Sequence, residues 1–195
     1  MRLGALICEP HSCRCGRLVD RLGHHGLSCR YSAGRLPRHA NLNDVVKRAL
    51  TAAGIPAWLE PVGLDRGDGR RPDGVNLFPY SQGKSLVWDA TCVDTFGACT
   101  VIGSALAPGS AAANAEERKR SKYASLADKY QFEPVAIETT EVVGPSTCNF
   151  LQILGKRVTA QTGERIAKKW LFERLSLAVV RGNVASVLAT GCVPG

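Results

Sequence analysis

Two aspartates stand where a carboxylate is costly to place. Asp73 follows Arg71-Pro72 and opens one apolar stretch; Asp89 lies inside the next, between Leu86-Val87-Trp88 and Ala90-Thr91. A carboxylate inside an apolar strand is destabilising unless it is paired or holds a cation. Two of them on adjacent strands can converge on one divalent ion, Mg²⁺ or Mn²⁺, which takes oxygen ligands and clamps a phosphate. Glu60, one strand earlier, is the candidate third acid. Downstream, Glu116, Lys119 and Lys122 are spaced by three, so they share one helical face, and Tyr123 flanks them. If that face lies over the two strands, one lysine approaches the metal and the other binds phosphate. Each residue also has a plainer reading. Asp73 beside Pro72 and Gly74 is a turn former, Glu60 is a surface charge, and the run 116–122 is a solvated helix face.

A second set of chemically capable residues lies near the N-terminus. Cys13-x-Cys15, then nine residues, His25, three residues and Cys29 form a set of thiol and imidazole ligands. Four such ligands close a tetrahedral zinc site, which can hold a segment too polar to build its own core. His24 competes with His25; the spacing of His25 to Cys29 resembles that of zinc knuckles, and His25 is preferred. Cys92, Cys99, Cys148 and Cys192 are scattered among apolar neighbours and read as buried thiols.

The rest of the chain must position these groups. At 195 residues and 45% hydrophobic, it can bury one core with a small appendage. With 22% charged residues it is not a disordered polyelectrolyte, and its net charge of +8 suits a polyanionic partner. The opening apolar run is broken by Glu9, too short for a signal peptide or a membrane span. The expectation is an intracellular protein without membrane partners, its cysteines reduced.

Apolar spacing predicts a helix over 41–54, capped by Asn41 or Asn43 and ended by Gly54 and Pro56. Strands follow at 57–62, 74–79 and 85–93, with a Gly/Asp turn over 65–69 and a hairpin between the last two. A small-residue loop over 103–113 leads into a helix to about 129. A strand over 131–143 and helices over 150–158 and 164–188 complete the chain. The order of helix, three strands, helix, strand and helices implies an α/β fold. Residues 1–36 form a Cys/His segment and 37–195 the main domain.

Arg71-Pro72-Asp73, then Asp89-x-Thr91, then a helix with Lys119-x-x-Lys122-Tyr123 resembles the restriction-like endonuclease domain of non-LTR retrotransposons, a PD-(D/E)xK variant. The Cys/His segment resembles the zinc knuckle that precedes that domain, and Arg38-His39 with Asn41 to Asn43 is similar to the linker between them. The resemblance spans roughly residues 13–145. It implies a restriction-endonuclease-like core, a nuclear protein that is part of or derived from a reverse-transcriptase polyprotein, and magnesium-dependent nicking of target DNA. Arg38, Arg70, Arg71 and Tyr123 are then the expected DNA contacts. The superfamily's usual lysine, two residues after the second acid, is here Thr91; the retrotransposon variant takes it from the following helix, which fits Lys119 or Lys122. The rival reading is a non-catalytic module that binds DNA or RNA, a decayed nuclease with its knuckle. A recombination-type exonuclease is a third.

Overall fold

Residues 85–93 form the centre of the molecule because their alternation serves two different layers. The computed structural model describes residues 4–64 and 71–191. The turn expected over 65–69, Arg70 and Cys192 lie outside the described residues. The elements in chain order are β1 (His11–Ser12), β2 (Leu18–Val19), α1 (His25–Ser28), α2 (Arg35–Ala52), β3 (Ala57–Leu59), β4 (Gly74–Asn76), β5 (Ser85–Val93), α3 (Val101–Leu106), α4 (Ser110–Lys122), β6 (Tyr130–Glu138), α5 (Pro145–Thr162) and α6 (Ala167–Leu188).

The main sheet has the order β3-β4-β5-β6. Its first three strands are antiparallel and β6 runs parallel to β5, so the sheet is mixed. Leu86, Trp88 and Ala90 of β5 point to the core face, where they meet Val135 and Ile137 of β6 and the apolar faces of α2, α5 and α6. On α2 that face is Leu42, Val46 and Leu50, at intervals of four. The other face of β5 and β6 is covered mainly by α4. Trp88 is fully buried and lies flat across Gly74, where a Cβ would fall 2.0 Å from the indole. Its Nε1 donates to Asn43 Oδ1 at 3.0 Å.

Several boundaries differ from the expected ones for physical reasons. α2 begins six residues early, at Arg35, and runs through the expected domain boundary at 36/37. Asn43 is therefore not a cap but a buried partner of Trp88. Pro37 is tolerated because the first helical turn needs no backbone donor. β3 stops at Leu59 because Glu60 adopts φ 53°. β6 stops at Glu138: Glu141, with φ 72°, turns the chain so that Val143 bridges back to Ile137. Residues 101–106 form a short helix where a loop was expected, docked by Ser104 Oγ donating to Glu138 Oε1 at 3.3 Å.

The Cys/His segment packs on the C-terminal end of α6. Val187 enters its small core of Cys8, Cys13, Val19, Leu27 and Cys29. Ser32 Oγ donates to Ser186 O at 2.9 Å, and the Cβ-free Gly34 lies against the Ser186 backbone. No helix of the described chain is long and apolar enough to cross a membrane.

Candidate functional site

Asp89 projects from the middle of β5 toward α4, opposite in sense to Trp88 and Ala90. Helix α4 approaches closely because its inner face is alanine: Ala112 and Ala115 lie against Ala136 of β6. Its first turn is fixed by Glu138, a buried acid whose Oε1 accepts the N–H of Ala111 at 3.0 Å and of Ala112 at 3.4 Å. A carboxylate there satisfies free helix donors and complements the dipole. Glu116, one expected member of the functional face, turns away to do the same for α5. It accepts from the Thr147 N–H at 2.8 Å and the Ser146 N–H at 3.1 Å.

With α4 so held, Lys119 and Lys122 both reach Asp89. The Lys119 ammonium bonds Oδ1, and the Lys122 ammonium bonds Oδ2 at 3.1 Å. The Asp89 carboxylate is only 5% exposed, so these cations are what offset its burial. Asp73 brackets Asp89 from the end of β4. Its N–H bonds Trp88 O at 3.0 Å and its Oδ2 accepts the Ala90 N–H at 2.6 Å, on either side of Asp89. His39 of α2 completes the group, with Nε2 3.0 Å from Asp73 Oδ2. Burial pushes the Asp73 carboxyl up, but the His39 bond and charge and the Ala90 N–H outweigh it and hold it below its usual value. The bond to Asp73, with the charges of Asp73 and Asp89, raises His39 against the opposing effect of burial. The structure thus brings together His39, Asp73, Asp89, Lys119 and Lys122.

Other expected site residues fall elsewhere. Glu60 is mostly exposed and pairs with the Arg71 guanidinium, at a backbone turn that ends β3. Arg71 is half-exposed on this same side. Two expectations are corrected. Tyr123 is buried, not a DNA-facing ring: its hydroxyl donates to Arg71 O at 2.9 Å, accepts from Lys122 Nζ at 2.6 Å, and its ring packs on Phe132. Arg38 is also buried; it donates to Asn183 Oδ1 at 2.8 Å and to Leu27 O at 3.0 Å, tying α2 to α6 and to the N-terminal segment. Both of its arms are committed inside the protein, which removes it as a phosphate contact. Of the cysteines expected to be buried, Cys99 is exposed, whereas burial pushes the Cys92 thiol up to about 11. His39 was not among the expected site residues. The signal available for it was its position four residues before Asn43 on α2, in a segment with few apolar residues.

The Cys/His cluster is the second site. The donor atoms of Cys13, Cys15, His25 and Cys29 all lie within 4.8 Å of one another. Cys13 Sγ and Cys29 Sγ are 3.7 Å apart, and Cys15 Sγ is 3.1 Å from His25 Nε2. A tetrahedron of zinc–sulfur bonds has an edge of about 3.8 Å, so the thiol pair has the separation of zinc ligands and not of a disulfide. The cluster could hold a zinc ion. Among the described residues it is the one group of three or more such ligands that converges. His24 is excluded from it, being stacked on Phe96 with ring centroids 4.0 Å apart. Burial raises the Cys13 thiol, and the Arg17 backbone N–H lowers that of Cys15. No protein-family model matches the chain, and no curated protein matches it.

Proposed function

We propose that this chain is a metal-dependent DNA endonuclease domain of restriction-like fold, derived from a retrotransposon reverse-transcriptase protein, with a zinc knuckle at its N-terminal end. The observation that carries this reading is that both lysines of one helix face bond Asp89 while Asp73 brackets it from the neighbouring strand. Magnesium takes one or two carboxylates together with phosphate oxygens, and Asp73 and Asp89 supply that number of hard donors. When bound, the ion activates water and offsets charge on the phosphate. Lys119, the less exposed of the two at 18% against 30%, anchors Asp89. Lys122, steadied by Tyr123, turns to the developing phosphate charge. His39 holds Asp73 in place, and Arg71 contacts the DNA backbone without reading sequence.

One observation favours the rival reading, a module that only binds nucleic acid. Asp89 is already matched by two ammoniums, so a cation must displace a lysine to reach it. Plasmid nicking with Mg²⁺ decides between them. Wild type should convert supercoiled plasmid to nicked circles, and Asp89→Ala should not, while its DNA affinity stays equal or rises slightly. A wild type that cuts no form of DNA, yet binds it as well as the variant with a steep salt dependence, makes the binding module the correct reading.

A further inference from the structure

Among the described residues, α4 packs on β5 and β6 rather than on β3 and β4. In the pairing register Trp58 lies beside Val75, Val75 beside Val87, and Val87 beside Phe132. Paired residues share a face, so this row lies on the Asp89 side, one pleat from Asp89 itself. At the covered end of the row, Phe132 packs beneath Tyr123. At the β3 end Trp58 is 60% exposed, while its neighbours Ala57 and Leu59 turn into the core. Two strand spacings and one pleat put its Cβ about 12 Å from that of Asp89. The basic groups on this side are Arg71, paired with Glu60 two residues after Trp58, and Lys119 and Lys122, paired with Asp89.

We infer that Trp58 is a stacking platform for an unpaired base one or two nucleotides from the phosphate held at Asp73 and Asp89, so that this site prefers DNA that is single-stranded or locally unpaired. The inference rests on the nuclease reading for the role of the aspartates, but not for the stacking itself. An exposed indole beside basic groups suits a polyanion whose every unit carries an aromatic face. A fully paired duplex keeps its bases stacked on one another and offers this indole only its backbone. Consecutive phosphates on an extended strand are about 6–7 Å apart, so a strand crossing the acids delivers the next bases to β3. Base–aromatic stacking is tolerant of sequence, and its loss weakens binding by about tenfold or more per base.

The test uses the full chain carrying Trp170→Phe, which leaves Trp58 as the exposed indole because Trp88 is fully buried. Titration with an oligothymidylate should quench the fluorescence of this protein. Trp58→Ala should remove the quench and weaken oligothymidylate binding about tenfold, with Trp58→Phe keeping most of the affinity and all three proteins binding perfect duplex equally. With Mg²⁺, a duplex containing a short unpaired bubble should be cut faster than its fully paired counterpart, and Trp58→Ala should erase that preference. If wild type cuts nothing but Trp58-dependent quenching persists, the nuclease reading fails and the stacking platform stands. Equal oligothymidylate binding by wild type and Trp58→Ala overturns the inference. So does a Trp58→Ala chain whose only change is from dimer to monomer, which would make this strand edge a contact between copies.

Discussion

The Cys/His cluster is drawn from one short segment and the aspartate–lysine cluster from distant positions, and the two balance charge differently. The donor atoms of Cys13, Cys15, His25 and Cys29 turn toward one another, all within 4.8 Å. Asp73 and Asp89 each carry a cationic partner from another element. The first arrangement needs an external cation to be stable as thiolates. The second is self-neutralising and needs no metal to offset its buried charge. On the proposed nuclease reading, that difference would separate a structural metal from a working one. It also explains why the N-terminal segment, whose core has few residues beyond the ligands themselves, can serve as a docked buttress for α6.

The largest effect should come from removing the metal on which only one region depends. Cys29→Ala, or treatment with a strong chelator, should lower stability by about 5 kcal/mol or more, since structural zinc in small fingers contributes on the order of 10 kcal/mol. Metal analysis of the wild type should find about one zinc per chain. A variant that melts with the wild type would erase the distinction between the regions.

A smaller loss should follow from stripping the second region of its own cations. Lys119→Ala with Lys122→Ala leaves the Asp89 carboxylate buried without a counter-charge, at a cost of about 3–5 kcal/mol. Added Mg²⁺ should then recover about 2–3 kcal/mol at a hundredfold excess over its dissociation constant, while doing little for wild type. Denaturant melts with and without Mg²⁺ read both numbers; a double variant indifferent to Mg²⁺ would show that the aspartates do not bind it.

Next in size is the division of labour between the lysines. Lys122→Ala should cost about 10²-fold in cleavage with little loss of stability. Lys119→Ala should cost more stability, its ammonium being the less exposed. Equal profiles in both assays would remove the assignment of anchor and phosphate ligand.

The smallest effect is in pH. His39 is raised, so its contribution is complete below about 6.5 and is lost as pH climbs through the raised value. Asp73 is lowered, so its contribution is present above about 3.9 and is lost as pH falls through the lowered value. The pair therefore stabilises most between about pH 4 and 6.5. Because the His39 side chain is 40% exposed, the contribution is about 0.5 kcal/mol. His39→Ala should flatten the stability profile in that window and leave it unchanged well above neutrality. A profile that keeps its shape without His39 assigns the effect to other groups.

Much of the aspartate–lysine cluster was legible along the chain because its signals are local contradictions. Asp89 interrupts an apolar strand, and Lys119 and Lys122 repeat at helical spacing. The Cys and His ligands were legible for a similar reason, being concentrated in a short polar segment. What escaped was decided across the sequence. Glu138 and Glu116 look like ordinary charges until α4 and α5 present their N-termini to them, some thirty residues away in each case.

By itself the sequence determined which groups could do chemistry, and that Asp89 lies on a strand and Lys119 and Lys122 on a helix, because strand and helix periods are properties of neighbouring residues. Only the tertiary structure decided which charges work and which hold the fold. Arg38 and Arg71 have the same guanidinium. Arg38 is enclosed by Asn183, Leu27 and Gly182 and spends its bonds inside the protein; Arg71 stands half-exposed beside the aspartates. His24 and His25 are adjacent, yet Phe96 stacks on one and Cys15 takes the other. Such choices rest on partners brought near by packing, and a side chain's own type and spacing carry no record of them.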